Sequence, residues 1–507
     1  MKLALTGIPG RLYKYSLVLF CVVLLVRILL AGYYNNNLGG IEPNVVYGIQ
    51  RILAGLPLYQ SPSSGSYAVI QYTPAWYYFV AAIAKPLGIR ALDVQSIFVL
   101  CRGLALLFNL LTIVIAALII RTWRFSYPKS LMLASPLLML LTTHYFTRGD
   151  SMHLFFFVAA LYAYVVYADK KQLPYIIICA LLSAICIMVK QSGILVAGII
   201  MFHLLFAARK YAAAFAYAAG TFIFAFMIAW LSANSNWPAM YQNAVLGLKS
   251  GLDLSFLYNM FIGRFYYELV PCYLLGGIIV YLALKRIKDP TFQILATGIA
   301  LSWLFAVTTG IKIGSSNNYF TEFLVCIVLC LPFLFEYAGS RKVLLRLVGY
   351  EVTIHQIASI AFFILITSKA TGLFTAVFIE KRIKDESTEY AREEALYSYF
   401  KDNLLIGQGE HIYFTERYFL DNIFMQYSIM PIKDVVSQTY LCDRSTYNYS
   451  AFIAGMNSGL VKYIVTDEKK RGLNLWHKEI PFILFDKNKF SLLTDTAGYS
   501  IYVYSGG

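Results

Sequence analysis

The 507-residue sequence predicts a polytopic α-helical membrane protein, with about eleven transmembrane helices followed by a C-terminal extracytoplasmic α/β domain. Three observations carry that expectation. The chain is 59% hydrophobic and only 14% charged, with a mean hydropathy of +0.63, which no ordinary soluble domain shows. Apolar runs of membrane-spanning length recur as far as about residue 373. Beyond 380 the composition turns abruptly polar and strand-like.

The first run, 14 to 33, follows Lys2, Arg11 and Lys14 and superficially suits a signal peptide. Its length is that of a full crossing, and it contains Arg27, which a signal-peptide core would seldom carry, so it reads as a retained first helix. Further runs lie near 96–120, 130–147, 152–168, 173–189, 193–207, 211–231, 269–284, 291–310, 319–336 and 353–373. Residues 75 to 87 are too few to span, since they begin after Pro74 and end at Lys85 and Pro86.

Charge decides how that short segment lies. If it does not cross, five basic loops share the side of the N-terminus: Arg121/Arg124/Lys129, Lys170/Lys171, Arg209/Lys210, Lys285/Arg286/Lys288 and Arg341/Lys342/Arg346. That obeys the positive-inside bias, whereas a crossing would put all five outside. Residues 75 to 87 are therefore expected to form an interfacial or re-entrant helix. The N-terminus is then cytoplasmic, and loops 34–95 and 232–268 face outward with the C-terminal region.

The formal net charge of +15 belongs to the membrane part, with 27 basic against 10 acidic residues in 1–379 and 15 against 17 in 380–507. Those cations sit in short loops between apolar runs and are not interleaved with aromatics, which excludes nucleic acid as the partner they serve. Seven of the eight cysteines lie in or beside apolar runs, without a disulfide framework or metal spacing, and read as core residues. In 380–507 a charged helical stretch precedes the strand-like runs HIYFTE, VKYIVTD, FILF and YSIYVYS. That length can hold its own core.

Acids are costly at membrane depth and tend to be functional there, so the ten in 1–379 stand out. Asp169, Asp289, Glu336 and Glu351 fall on the inner side and read as solvated loop or helix-end charges. Glu42, in the first outer loop, and Asp150, at the start of the fourth span, are the catalytic candidates: two carboxylates partly withdrawn from water at one face are suited to acid/base work. Spacing alone equally allows Glu42 to begin a helix and Asp150 to pair with Arg148. Arg148, Lys190 and Lys312 are outer cations of the kind that meets lipid headgroups or an anionic ligand. A guanidinium suits phosphate oxygens, and the string GIKIGSSNNYFTE places backbone amides and Lys312 before a helix.

In their order and common side, these strings resemble the GT-C superfamily of integral-membrane glycosyltransferases, in the branch of protein O-mannosyltransferases and aminoarabinose transferases. The resemblance rests on Glu42 with Gly55, Pro57, Leu58 and Tyr59, and on Tyr72, Pro74, Trp76 and Tyr77, then Gly88 and Arg102. It continues through Arg148 and Asp150, the K-Q-x-G of Lys190 to Gly193, and Gly314, Asn318, Tyr319, Phe320 and Glu322. It implies a GT-C-like fold in a bacterial cytoplasmic (inner) membrane and a sugar donor carried on polyprenyl phosphate. The sugar would pass to a glycan, lipid or protein hydroxyl at the outer face, with inversion.

Under that resemblance Glu42 is the general base and Asp150 positions the acceptor or a basic partner. Arg148, Lys190 and Lys312 bind the donor phosphate, and Tyr59, Tyr72, Asn318, Tyr319 and Glu322 contact substrate. The family often has aspartate where Glu42 stands. Some members use a divalent metal, for which Glu42 and Asp150 alone are too few ligands. No other cofactor is expected. A transporter or flippase of a lipid-linked glycan is the alternative, but it would place its acids near mid-membrane.

Overall fold

In a computed structural model of the chain, the residues described are 8–32, 42–63, 69–140, 147–233, 236–248, 252–261, 266–312, 315, 317–341, 344–347, 350–374, 392, 395–396, 398–403, 410–414, 448, 450–467 and 486–506. They form two compact units that interleave along the sequence. One comprises Met1–Gly32, Cys101–Ala229 and Leu252–Ile379; the other comprises Tyr33–Leu100, Trp230–Gly251 and Glu380–Gly507.

The first unit is helical. Its elements are α1 (Ile8–Ala31), most of α4 (Val94–Arg121), α5 (Tyr127–Ala134), α6 (Leu137–Leu140), α7 (Asp150–Lys170), α8 (Leu173–Val189), α9 (Ile194–Phe202), most of α10 (Tyr211–Ala233), α12 (Leu254–Phe261), α13 (Tyr266–Lys285), α14 (Pro290–Gly310), α15 (Thr321–Arg341) and α16 (Ile354–Phe374). Helices coincide with the spans expected from the sequence except near 130–147, which is broken into the short α5 and α6 and whose residues 141–146 lie outside the described residues. Among the described residues six helices are long and apolar enough to cross a bilayer, namely those built on α1, α4, α7, α10, α14 and α15; α13 and α16 contribute the shorter apolar stretches Val270–Lys285 and Ile354–Lys369.

Burial separates the helices by role. Residues Val325 to Leu331 of α15 are all fully buried, so this helix is apolar on every side and lies at the centre of the unit. In α10, by contrast, Phe215, Phe222 and Leu231 are 76%, 71% and 78% exposed. Apolar side chains exposed along a whole helix need a non-aqueous neighbour, and a bilayer supplies one. Arg27 is buried within α1 and donates to the Leu138 carbonyl at 3.0 Å. The interruption between α5 and α6 includes Pro136, which has no N–H to continue the helical ladder, and carbonyls near such a break are open to other donors.

The α7–α8 hairpin turns in two residues. Lys171 closes α7 in the left-handed conformation (φ 56°), Gln172 is extended, and Pro174 occupies the first turn of α8, where its missing N–H costs nothing. Between the basic loop residues Arg341 and Lys342 and the run near 353–373 lies a short antiparallel hairpin, β1 (Leu344–Leu347) with β2 (Tyr350–Thr353), which the sequence reading did not foresee.

In the second unit α2 (Glu42–Leu53) packs on α3 (Ala75–Ala84). Ten residues of helix reach only ~15 Å, half a bilayer core, so α3 does not span. The two helices meet at Gly48, where a Cβ would lie 2.6 Å from the buried Tyr77 ring. Helix α2 ends in a Schellman cap: Leu56 N–H donates to the Arg51 carbonyl and Gly55 N–H to that of Ile52, with Gly55 at φ +76°. A Gly55→Ala change forces a side chain into the left-handed region. It is expected to lower stability by about 1–2 kcal/mol, read as a reduced thermal midpoint of the detergent-solubilised protein.

The polar C-terminal region contributes a four-stranded sheet in the order β3-β4-β6-β5, formed by His411–Phe414, Val461–Asp467, Tyr499–Tyr504 and Phe490–Thr496. β3 and β4 are parallel and the other pairs antiparallel. Leu396 and Phe400 cover one face, against Ile412, Tyr463, Val465, Tyr499 and Ile501. Three of the expected strands occur, while FILF lies outside the described residues. The sequence reading missed β5, whose FSLLTDT pattern does not alternate cleanly and whose centre is largely exposed.

Candidate functional site

Asp150 begins α7 directly after Gly149, whose lack of a side chain leaves the helix without a side-chain cap. A carboxylate in the first turn is favoured by the unsatisfied N–H groups there. Two cations hold it: Arg148 Nε lies 2.8 Å from Oδ2 and Lys190 Nζ 2.6 Å from Oδ1. The Asp150 side chain is 4% exposed, that of Arg148 12% and that of Lys190 20%. The local pairing with Arg148 that the spacing allows is present, with Lys190 as a second partner from the next hairpin. Two cations therefore share one buried carboxylate.

Lys190 reaches Asp150 because the chain reverses in very few residues. After α8 it is extended (φ −154°, ψ 137°), and a single 3₁₀ turn, Gln191–Gly193, leads into α9. That turn folds back on α8 so closely that a Cβ on Gly193 would lie 2.4 Å from the carbonyl carbon of Cys186. Backbone cannot give way as a side-chain end can. Gly193→Ala is therefore expected to displace Lys190 from Asp150 and to cost both thermal stability and activity. Wild-type behaviour in both measurements would show that the turn tolerates the extra carbon and that Lys190 is not held by it.

One turn on from Asp150, His153 is also buried. Its Nε2 lies 3.0 Å from Glu322 Oε1 and its Nδ1 3.3 Å from Cys186 Sγ. A ring protonated at Nε2 donates to the carboxylate, while the Cys186 thiol also lies 3.4 Å from the His153 carbonyl, to which it donates. The group ties α7, α8 and α15 together directly beneath the Asp150 cluster, because Cys186 precedes Lys190 by one turn and accepts its backbone N–H at 3.2 Å. Sequence reasoning passed over His153 and treated Cys186 as ordinary core. The available signal was the i, i+3 spacing of Asp150 and His153, which puts both on one helix face.

The remaining candidates are placed as follows. Glu322 lies in the first turn of α15, and Asn318 and Tyr319 are half-buried in the preceding 3₁₀ turn, Asn317–Phe320. Lys312 is half-buried after α14; its backbone bridges Leu252, and its carbonyl accepts from Ser315 Oγ at 2.6 Å. Burial pushes the Lys312 ammonium below the usual lysine range, because the charged form loses water there.

Glu42, Tyr59 and Tyr72 belong to the second unit. Glu42 is fully buried at the start of α2. The segments around it are tied down by polar side chains. Asn44 donates to the Val69 carbonyl at 2.6 Å, Asn243 accepts from Ile70 N–H and donates to the Gln60 carbonyl, and Tyr59 donates to the Tyr72 carbonyl at 2.8 Å. Arg51 donates to the Pro57 carbonyl at 2.9 Å and to Tyr47 at 3.1 Å. The G-x-P-L-Y string is thus a braced turn.

Among the described residues no group of three or more His, Cys, Asp or Glu side chains is placed to hold a metal. Both oxygens of Asp150 already have cationic partners, so this donor set does not fit a divalent ion.

No family model matches the chain, and no curated protein sequence matches it. Solved structures do. The chain is similar to apo ArnT from Cupriavidus metallidurans, with a TM-score of 0.59 and 10% identity over 97% of this chain and 99% of that one. It is also similar to the Archaeoglobus fulgidus oligosaccharyltransferase tethered with an acceptor peptide containing the NVT sequon, with a TM-score of 0.53 and 13% identity over 94% and 72%. A third similarity is to oligosaccharyltransferase AglB of the same organism, in complex with an inhibitory peptide and a dolichol-phosphate, with a TM-score of 0.51 and 12% identity over 97% and 74%. Both proteins are GT-C glycosyltransferases, and this chain has the GT-C-like fold.

Proposed function

We propose that this membrane chain with the GT-C-like fold is a glycosyltransferase that moves a sugar from a polyprenyl-phosphate carrier to an acceptor hydroxyl at the outer face, inverting the anomeric carbon. The observation that carries the reading is the buried Arg148–Asp150–Lys190 cluster, which fixes a guanidinium and an ammonium, two groups suited to phosphate oxygens, beside each other. The dolichol-phosphate bound to the archaeal enzyme of the same fold supports a lipid-linked donor.

In this mechanism Glu42 accepts the proton of the acceptor hydroxyl as its oxygen attacks the anomeric carbon. The bond from that carbon to the phosphate oxygen breaks, and the departing polyprenyl phosphate keeps the electron pair. An unassisted hydroxyl is a poor nucleophile, so removal of its proton during attack lowers the barrier. Charge growing on the phosphate is met by Arg148, Lys190 and Lys312. Donors already fixed in place need no reorganisation at the moment of bond breaking, which is where such groups gain their effect. Asp150 keeps the two cations of its cluster aimed and limits their mutual repulsion. Tyr59, Tyr72, Asn318, Tyr319 and Glu322 shape the substrate surface, Tyr59 and Glu322 through the partners they already engage.

The test is a transfer assay with the purified chain in lipid nanodiscs, supplied with polyprenyl-phosphate hexoses, aminosugars and pentoses and with envelope glycolipid, glycan and protein acceptors. Release of polyprenyl phosphate coupled to acceptor glycosylation is expected. In proteoliposomes, movement of intact donor between leaflets without cleavage of the sugar–phosphate bond would overturn the reading in favour of a flippase. With the N-terminus cytoplasmic, a periplasmic reporter fused after Gly507 is expected to be active and a cytoplasmic one silent. The reverse pattern would move Glu42 and Asp150 to the inner face.

A further inference from the structure

At the end of α7 remote from Asp150, the first unit holds a cavity of about 970 Å³ that the transfer reaction does not use. Its walls come from α4, α7 and α8 and are apolar toward the middle of the helices, with Leu118, Phe155, Ala159 and Leu182 among them. Its other end is polar and cationic, with Arg121, Lys170 and Lys171 on the rim. A site with an apolar body and a charged mouth takes an amphiphile.

Three cations at this end, Arg121, Lys170 and Lys171, face two acids, Asp169 beside Lys170 and Asp289, so the rim is positive on balance. Asp289 is engaged, accepting from Phe292 N–H at 2.8 Å and from Trp123 Nε1 at 3.1 Å. Among the described residues neither Arg121, Lys170 nor Lys171 has a carboxylate within ion-pair distance. Two of them are held in place instead by rings: the Arg121 guanidinium lies 5.6 Å from the centre of Tyr127, and Lys170 donates to the Tyr175 hydroxyl at 2.8 Å. Ile178 both lines the cavity and is 47% exposed on α8, so the apolar wall continues onto the surface that faces lipid. An occupant can therefore enter sideways from the bilayer with its charged end at the membrane surface.

We infer that this cavity is a binding site for an anionic phospholipid, its phosphodiester among Arg121, Lys170 and Lys171 and an acyl chain along α4 and α8. The site is on the face that the charge bias assigns to the cytoplasm, where anionic headgroups and basic residues meet. It stands independently of the glycosyltransferase reading.

The test uses the purified full-length protein in native mass spectrometry, with equimolar phosphatidylglycerol and phosphatidylcholine of identical chains. Preferential retention of one phosphatidylglycerol is expected. The combined R121Q, K170Q and K171Q substitutions are expected to weaken it about tenfold or more. The single changes R121Q and K171Q, at exposed positions that do not endanger folding, each produce part of that loss. I178W, which narrows the sideways entrance, weakens retention of the lipid without altering the rim. Equal retention of the two lipids, or retention unchanged by the rim substitutions, would overturn the site. Full displacement of phosphatidylglycerol by inorganic phosphate, with I178W behaving as wild type, would make it a site for a soluble anion and refute the lipid assignment.

Discussion

Glu42→Gln is expected to reduce glycosyl transfer by about 10²–10⁴-fold, the contribution of a general base, while donor binding and thermal stability stay near wild type. Glutamine keeps the volume and one oxygen of the side chain but cannot accept the hydroxyl proton. Glu42 is fully buried at the start of α2, in a segment whose neighbours are pinned by Asn44, Asn243 and Tyr59. A shape-preserving substitution should therefore leave the fold intact. Glu42→Asp retracts the carboxylate by one methylene and is expected to retain intermediate activity. A glutamine variant as active as wild type, measured under single-turnover conditions with a polyprenyl-phosphate sugar, would remove Glu42 from the role of base.

Asp150→Ala is expected to have the larger effect on the protein itself. It removes the carboxylate that Arg148 and Lys190 share, in surroundings where their side chains are only 12% and 20% exposed. Removing one partner of a buried ion pair costs about 3–5 kcal/mol, because the remaining charge is left uncompensated. The thermal midpoint should fall sharply. Combining Asp150→Ala with Lys190→Met also removes one of the two cations that Asp150 engages, and the double variant is expected to be more stable than Asp150→Ala alone while staying inactive. A double variant no more stable than the single one would mean that Asp150 and Lys190 do not act as a pair. Recovery of activity in the double variant would show that Lys190 has no part in transfer.

Much of this was visible in the sequence. Uninterrupted apolar runs located the helices, since a chain in hydrocarbon must satisfy its backbone within the helix, and length then follows from bilayer thickness. The brevity of residues 75–87, with Pro74 ahead of them, marked α3 as too short to cross. Alternation of β-branched and aromatic residues marked β3, β4 and β6. The Arg148–Asp150 pair was legible because its members are neighbours.

Other features depend on approaches between distant segments, which local pattern does not encode. The pairing of Lys190 with Asp150 arises from the fit of Gly193 against the Cys186 backbone. His153 and Glu322 are separated by 169 positions and meet only because α7 and α15 are packed within one unit. The β1–β2 hairpin escaped notice because four-residue strands carry too little alternation to stand out. The short helices α2, α3 and α11 (Trp237–Ala244) join the C-terminal sheet in one unit through hydrogen bonds such as Asn448 N–H to Ser63 Oγ. Composition, by contrast, divides the chain only once, near 380.

By itself, then, the sequence determined that the chain is a polytopic helical membrane protein, which residues are chargeable at its membrane boundaries, and that residues 75–87 are too few to cross. These are properties of residue type and spacing, set by transfer free energy and local backbone sterics. Only the tertiary structure decided which charges neutralise one another, that Asp150 is held by two cations, and that His153 bridges Glu322 and Cys186. Those interactions fall off within a few ångströms, and their geometry exists only once the helices are packed.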